Sequence, residues 1–340
     1  MKLIIQFVEF CFSLLETGLK FTFEFTEFIV SNIPRKKEGY HATFAPASSL
    51  LSSSYKGFCL TGNKNLSVKN SYQNALVVGG TGTGKSSVVL IPSIYTMENF
   101  SLVIHDPSGE LFTKSAGYLR SKGYEIKTLN FANPQNSCGY NPLQRANSSS
   151  DIQKVASMLV ENSLGSNNKD PFWGKMAIGL LTMLITILKK QDKQFQNLYN
   201  LRMLLNHFGG NPEKVDALFG SKYIDASLYA EYKSFIAYDD KVVSGVTATC
   251  KAALQIFSDD AVARVTSFDT LNLQDFRNKK IALFIQNSVA DQRYYSVLTS
   301  IFFEQFFSYI MSRFPNEGEQ DIFFLIDEAS SLKFSTLPLA

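Results

Sequence analysis

Charge and cysteine are both scarce in this chain, and each scarcity excludes something. Only 19% of the 340 residues are charged, and the net charge is +3. That balance is too weak to point to a nucleic-acid partner by charge alone, although a locally basic ring or pore stays compatible with it. The four cysteines, Cys11, Cys59, Cys138 and Cys250, lie far apart and have no metal-site spacing. They fit a reduced, cytosolic setting. The three histidines, His41, His105 and His207, form no cluster and read as structural residues rather than ligands. A hydrophobic content of 45%, on a length that suits about two domains, describes a globular protein with a large core.

A plain membrane span is also missing near the N-terminus. Residues 3–33 are rich in Phe, Leu, Ile and Val, but no stretch there reaches the ~18 uncharged residues a span needs. Gln6, Glu9, Ser13, Glu16, Lys20, Glu24, Glu27 and Ser31 recur at helical steps, so the segment reads as one long amphipathic helix with a polar stripe. A central charge costs about 2.5–3.5 kcal/mol on insertion and each large apolar residue returns only about 0.3–0.6, which makes a lone span marginal. Its length and its acids exclude a cleavable signal. The helix can lie on a membrane, span it within an oligomer, or bind another helix. Arg35-Lys36-Lys37 follows at once, as on the cytoplasmic side of a membrane segment, and favours membrane association for residues 1–37.

What is present is a complete phosphate-binding loop, Gly79-Gly80-Thr81-Gly82-Thr83-Gly84-Lys85-Ser86, followed by Ser87. Asn74-Ala75-Leu76-Val77-Val78 reads as a short buried strand entering it, and Ser87–Ile91 as the apolar side of a helix leaving it, the context the motif requires. The glycines let successive N–H groups point into one concavity at a helix N-terminus. Lys85 can reach the β- and γ-phosphates, and the Ser86 hydroxyl can ligate Mg²⁺. A second signal is Asp321–Ile326, an apolar strand that ends in Asp327 and Glu328. Asp327 reads as a support for Mg²⁺ and Glu328 as a general base that polarises water. An acid pair at this place favours ATP hydrolysis over GTPase or small-molecule kinase chemistry.

Between these halves the pattern changes. Leu102–Asp106, Glu125–Leu129 and Ile281–Ile285 read as strands, with helices near 110–121 and 291–313, which predicts a parallel three-layer α/β sheet. Residues 151–163, 172–190, 195–207, 212–219, 226–237 and 241–257 all read as helices, and the uncharged run 176–188 is too short to span a bilayer. Gly57–Leu60 and Asn65–Val68 read as a hairpin, and Ser48–Tyr55 as a serine-rich loop. The expected fold is a P-loop NTPase three-layer α/β core with a mostly parallel sheet (38–149 and 276–340), an all-helical domain inserted at 150–275, and the N-terminal amphipathic helix.

The phosphate loop, with Pro92 in its helix, is joined by His105-Asp106-Pro107-Ser108-Gly109-Glu110-Leu111, by Gly139-Tyr140-Asn141-Pro142-Leu143 and by the acid-pair strand. Together they resemble the type IV secretion coupling proteins, the TraG/TraD-like conjugation ATPases, over about residues 40–340. The resemblance implies a hexameric, membrane-anchored ring at the cytoplasmic face of the bacterial inner membrane. Such a ring uses ATP and Mg²⁺ to move single-stranded DNA, with its bound relaxase, toward type IV secretion channel subunits. It implies that the helical insert recognises substrate. It also implies that Gly79, Gly84, Lys85 and Ser86 bind phosphate and Mg²⁺, that Asp327 supports the metal, and that Glu328 activates water. Asp106 and Glu110 match a motif beside the nucleotide and order either the loop or the metal's surroundings, with plain turn chemistry as the alternative. Ser108 stands where many members have Lys. The chain ends 13 residues after Asp327, where the family continues with further strands, so it reads as a fragment that holds ATP but turns it over weakly. Another DNA translocase of the same superfamily, or a nucleotide-binding docking platform for relaxase and channel subunits, are the competing functions.

Overall fold

A computed structural model describes residues 9, 13–20, 46–80, 82–164, 171–208, 212–221, 224–288 and 290–332. The chain divides into two compact units, Met1–Ser49 and Leu50–Ala340. In the first, Glu9 and residues 13–20 are helical and exposed. The rest of the helix expected over 3–33, and Arg35-Lys36-Lys37, lie outside the described residues, as does Thr81.

The second unit is built on four parallel strands in the order β4-β5-β3-β6: β3 (Ser101–His105), β4 (Glu125–Leu129), β5 (Ile281–Ile285) and β6 (Ile322–Ile326). β3 and β5 are buried along their whole length, as near-continuous apolar runs between two helical layers should be. The strand pleat splits their side chains between two cores. Leu102, Ile104, Ala282, Phe284 and Leu325 face the layer formed by α1 (Ile91–Thr96) and α2 (Glu110–Ser121). Val103, Ile281, Leu283 and Ile285 face α10 (Gln292–Met311) through Leu298, Phe302 and Phe306.

Beyond α10 lies the helical region: α3 (Ser149–Leu164), α4 (Pro171–Lys189), α5 (Leu198–His207), α6 (Pro212–Phe219), α7 (Ala226–Ile236), α8 (Asp240–Ala253) and α9 (Asp260–Val265). Its starts are set by short polar side chains. Asn197, Asp225, Asp239 and Asp259 each accept an N–H from the first turn of the helix that follows. α4 is long and apolar enough to cross a membrane. Here Leu180, Leu181, Leu184 and Ile185 lie buried in the same apolar core that reaches the sheet. The helical region and the sheet therefore share one continuous core.

The Gly139–Leu143 motif ties the root of that region. Tyr140 N–H donates to Val265 O (2.9 Å) and Thr270 N–H to Gly139 O (3.0 Å), so the outgoing and returning chains lie side by side. A Cβ on Gly139 would sit 2.3 Å from the Phe268 ring, which explains the glycine. Tyr140 Oη bonds Gln305 on α10, and Asn141 Nδ2 donates to Gln196 O. Arg145 closes a two-bond pair with Asp269 (2.6 and 2.7 Å).

Three expectations change. Asn74–Val78 is not a strand: it carries no regular structure, and Leu76 and Val78 are each 86% exposed. An apolar run becomes a strand only where a neighbour supplies the ladder, and β6 pairs with β3 alone among the described strands. The Ser48–Tyr55 loop contains a helical turn, Ala47–Leu50, and a short strand β1 (Leu51–Ser52) paired antiparallel to β2 (Asn65–Leu66). The hairpin narrows to a Cys59–Asn65 bridge, and Val68 begins a helical turn instead of ending a strand. Single turns at Pro142–Arg145 and Asp275–Asn278, and α9, were not legible as helices.

Candidate active site

The phosphate loop leaves 74–80 and enters a helix at Lys85. Gly82 (φ +79°) and Gly84 (φ +87°) hold left-handed backbone, which needs glycine. The first stretch, Lys85–Leu90, is a widened π-type turn that continues as α1. Pro92 accounts for part of this: it has no N–H to offer Val88 O and its ring crowds that carbonyl. The buried Cys59 thiol takes up Val88 O instead, at 3.9 Å. Cys59 N–H also donates to Ser93 Oγ (2.9 Å), so the lead-in segment braces the loop's helix.

The loop is folded on itself. Lys85 Nζ donates to Gly79 O (2.7 Å) and Gly80 O (3.0 Å), and Thr83 Oγ1 to Gly80 O (2.8 Å). Ser87 Oγ turns back to Gly84 O at 3.3 Å. The N–H groups of Lys85, Ser86 and Ser87 precede the first helical bond, Val88 N–H to Gly84 O (2.7 Å), and so have no intrahelical acceptor. Phosphate oxygens suit them and the partial positive charge behind them.

Across the sheet, β6 delivers the acid pair to the same place. Ser86 Oγ lies 3.4 Å from Asp327 Oδ2, although the two are 241 residues apart in the chain. That distance is long for a hydroxyl–carboxylate bond, and it brings two hard oxygens to one place. The donors fit Mg²⁺, which takes hard oxygens and uses few protein ligands beside phosphate. Among the described residues no group of three or more His, Cys, Asp or Glu forms a metal cage. Asp327 Oδ1 accepts the Glu328 N–H at 3.0 Å. Glu328 is exposed and in left-handed backbone (φ +51°), at the open face of the site.

Asp106, expected beside the nucleotide, is buried at the end of β3. Its carboxylate accepts N–H groups from Leu111 (3.2 Å) and Phe112 (2.7 Å) and so holds the first turn of α2. These contacts are those of the turn-chemistry alternative, and they turn the oxygens toward α2. Burial pushes the Asp106 pKa up, against the pull of those N–H bonds. Glu110 pairs with Lys114 on the same helix, and Ser108 Oγ reaches Asp106 Oδ1 at 3.4 Å. Asp106→Ala is expected to lower unfolding stability by about 1–3 kcal/mol, because two N–H groups lose their acceptor in a dry site. Urea unfolding without nucleotide checks it.

Residue types and spacing did not reveal His105, Gln292 or Ser331. His105 Nδ1 lies 2.6 Å from Asp327 O, and Gln292 Nε2 donates to Ser331 Oγ (2.6 Å) just past Glu328. The available signal was position: a polar residue ending a buried parallel strand lies on the side where such sheets bind ligands.

A protein-family profile described as type IV secretory system conjugative DNA transfer matches residues 35–336. Protein VirD4 of Rhizobium radiobacter is 20% identical over 268 residues, which cover 76% of this chain and 38% of that protein. Protein VirD4 of Agrobacterium fabrum (strain C58) is 21% identical over 268 residues, covering 76% and 39%. The chain thus spans about two fifths of the length of these relatives. Among solved structures, plasmid coupling protein TrwB in complex with ADP and Mg²⁺ superposes with a TM-score of 0.58 at 22% identity, over 81% of this chain and 61% of that one. TrwB in complex with a non-hydrolysable ATP analogue gives 0.54 at 23% identity, over 75% and 56%. At these identities the structural likeness establishes the fold.

Proposed function

The chain belongs to the type IV secretory conjugative DNA transfer family, and on that premise we propose that it is the ATP-hydrolysing part of a coupling protein that drives single-stranded DNA, with its bound relaxase, to a secretion channel. The observation that carries this reading is the meeting of Ser86 with Asp327. A phosphate loop alone would serve any nucleotide binder. Its hydroxyl set against an acid at a parallel strand's end, with a second acid beside it, is an arrangement for hydrolysis.

The geometry supports the following roles. The N–H groups around Gly82, Gly84, Lys85 and Ser86 cradle the phosphates. Lys85 exchanges the Gly79 and Gly80 carbonyls for phosphate oxygens, a small rearrangement at an exposed loop. Ser86 and Asp327 would hold Mg²⁺, which would supply positive charge against the negative charge that develops on the phosphates. Glu328 orients the attacking water and accepts its proton. The TrwB complexes with ADP and Mg²⁺ and with an ATP analogue support the same ligands here.

We assign 38–149 and 276–340 to the ATPase core and 150–275 to the helical domain that meets substrate. Residues 1–37 are assigned to a membrane-associated helix that places a hexameric ring at the cytoplasmic face of the bacterial inner membrane. The test is ATP turnover of this chain and of a full-length relative, with and without single-stranded DNA. DNA should raise the rate of the full-length protein. Stimulation by relaxase alone, with no response to DNA, would overturn the substrate assignment.

A further inference from the structure

His105 is fully buried at the last position of β3, and both its backbone and its ring engage Asp327. The ladder bond runs from Asp327 N–H to His105 O (3.3 Å), and the ring returns it, with Nδ1 2.6 Å from Asp327 O. A carbonyl oxygen only accepts, so Nδ1 carries the proton. The other ring nitrogen, Nε2, is buried with no hydrogen-bond partner, and the ring stands edge-on to Phe303 of α10.

An orphaned buried nitrogen is unfavourable, so histidine is a poor choice for filling this core position. Its gain lies in what Nδ1–H does. The Asp327 carbonyl belongs to the peptide that joins Asp327 to Glu328. Immediately after it, Glu328 adopts left-handed backbone, which is strained for a residue other than glycine. Such a turn persists only where its surroundings over-determine it. Here Glu328 N–H is held by Asp327 Oδ1, and Glu328 O by Ser331 Oγ (2.8 Å), itself held by Gln292 of α10. His105 supplies the hold from the sheet side.

We propose that His105 is a positioning residue for the acid pair: its Nδ1–H fixes the Asp327–Glu328 peptide, so that the Asp327 carboxylate meets Ser86 and Glu328 stands at the open face. This rests on the ATPase reading above for its consequence, but not for its geometry.

Two variants separate positioning from packing. His105→Leu removes the donor and the orphan nitrogen together. His105→Asn keeps an N–H close to the Nδ1 position. The first readout is hydrogen exchange of the Glu328 amide in the nucleotide-free chain. Exchange should quicken in the Leu variant and return toward wild type in the Asn variant. The second is affinity for a non-hydrolysable ATP analogue with Mg²⁺ and with a chelator. The Leu variant should lose about 10- to 100-fold of the Mg²⁺-dependent gain, the usual effect of removing a partner that orients a metal's ligand, while its chelator affinity stays unchanged. The Asn variant should recover most of that gain. Wild-type Glu328 exchange in His105→Leu, or an Asn variant that folds yet matches Leu in both readouts, overturns the inference. A wild-type chain without Mg²⁺-dependent nucleotide binding would instead overturn the ATPase reading, with the exchange readout still deciding the role of His105.

Discussion

Lys85→Ala should abolish measurable ATP binding by this chain while leaving its fold intact. Lys85 is the cation the loop itself supplies, and its two acceptors, the carbonyls of Gly79 and Gly80, are exposed. Removing the ammonium therefore strands nothing in a dry site, and water replaces it at little cost. In the bound state the loss differs in kind. A charge-assisted bond to phosphate contributes about 1.5–3 kcal/mol, so losing one or two lowers affinity by roughly 10-fold to 10⁴-fold. Calorimetric titration with ATP, beside a thermal melt, checks both halves. An unchanged affinity would remove the phosphate loop from the site.

Glu328→Gln should bind ATP as wild type does and turn it over about 10²–10⁴-fold more slowly, the range associated with a positioned general base. The substitution keeps the shape and removes only the capacity to accept a proton. Glu328 is exposed and its side chain does not cap a helix, so stability should not change. Rate and affinity must be measured on the same preparation. A fall in affinity with no fall in maximal rate would place Glu328 in binding.

These expectations rest on parts that differ in how far residues alone reveal them. Leu102–Ile104 and Ile281–Ile285 could be read because the middles of strands covered on both faces are apolar. The helices from 149 to 253 could be read from periodicity. The phosphate loop and acid pair are local motifs, so their residue types were visible. Their approach to 3.4 Å was not, since it depends on β6 lying beside β3. Asn74–Val78 misled for the same reason: its apolar run is real, but pairing is not a local property. His105 was read as structural because a lone histidine has no spacing to betray it. Its meaning comes from Asp327, 222 residues further along the chain. The shared core of the sheet and the helical region was equally invisible, because α10 packs on both.

Ser86 and Asp327 are proposed to serve one metal–nucleotide site, and a double-mutant cycle tests that directly. The quantity is the gain in affinity for a non-hydrolysable ATP analogue on adding Mg²⁺, measured for wild type, Ser86→Ala, Asp327→Asn and the pair. If both oxygens hold the same ion, each single variant loses most of the gain and the double variant loses little more. Losses that add fully, or a gain that survives Asp327→Asn intact, would contradict it.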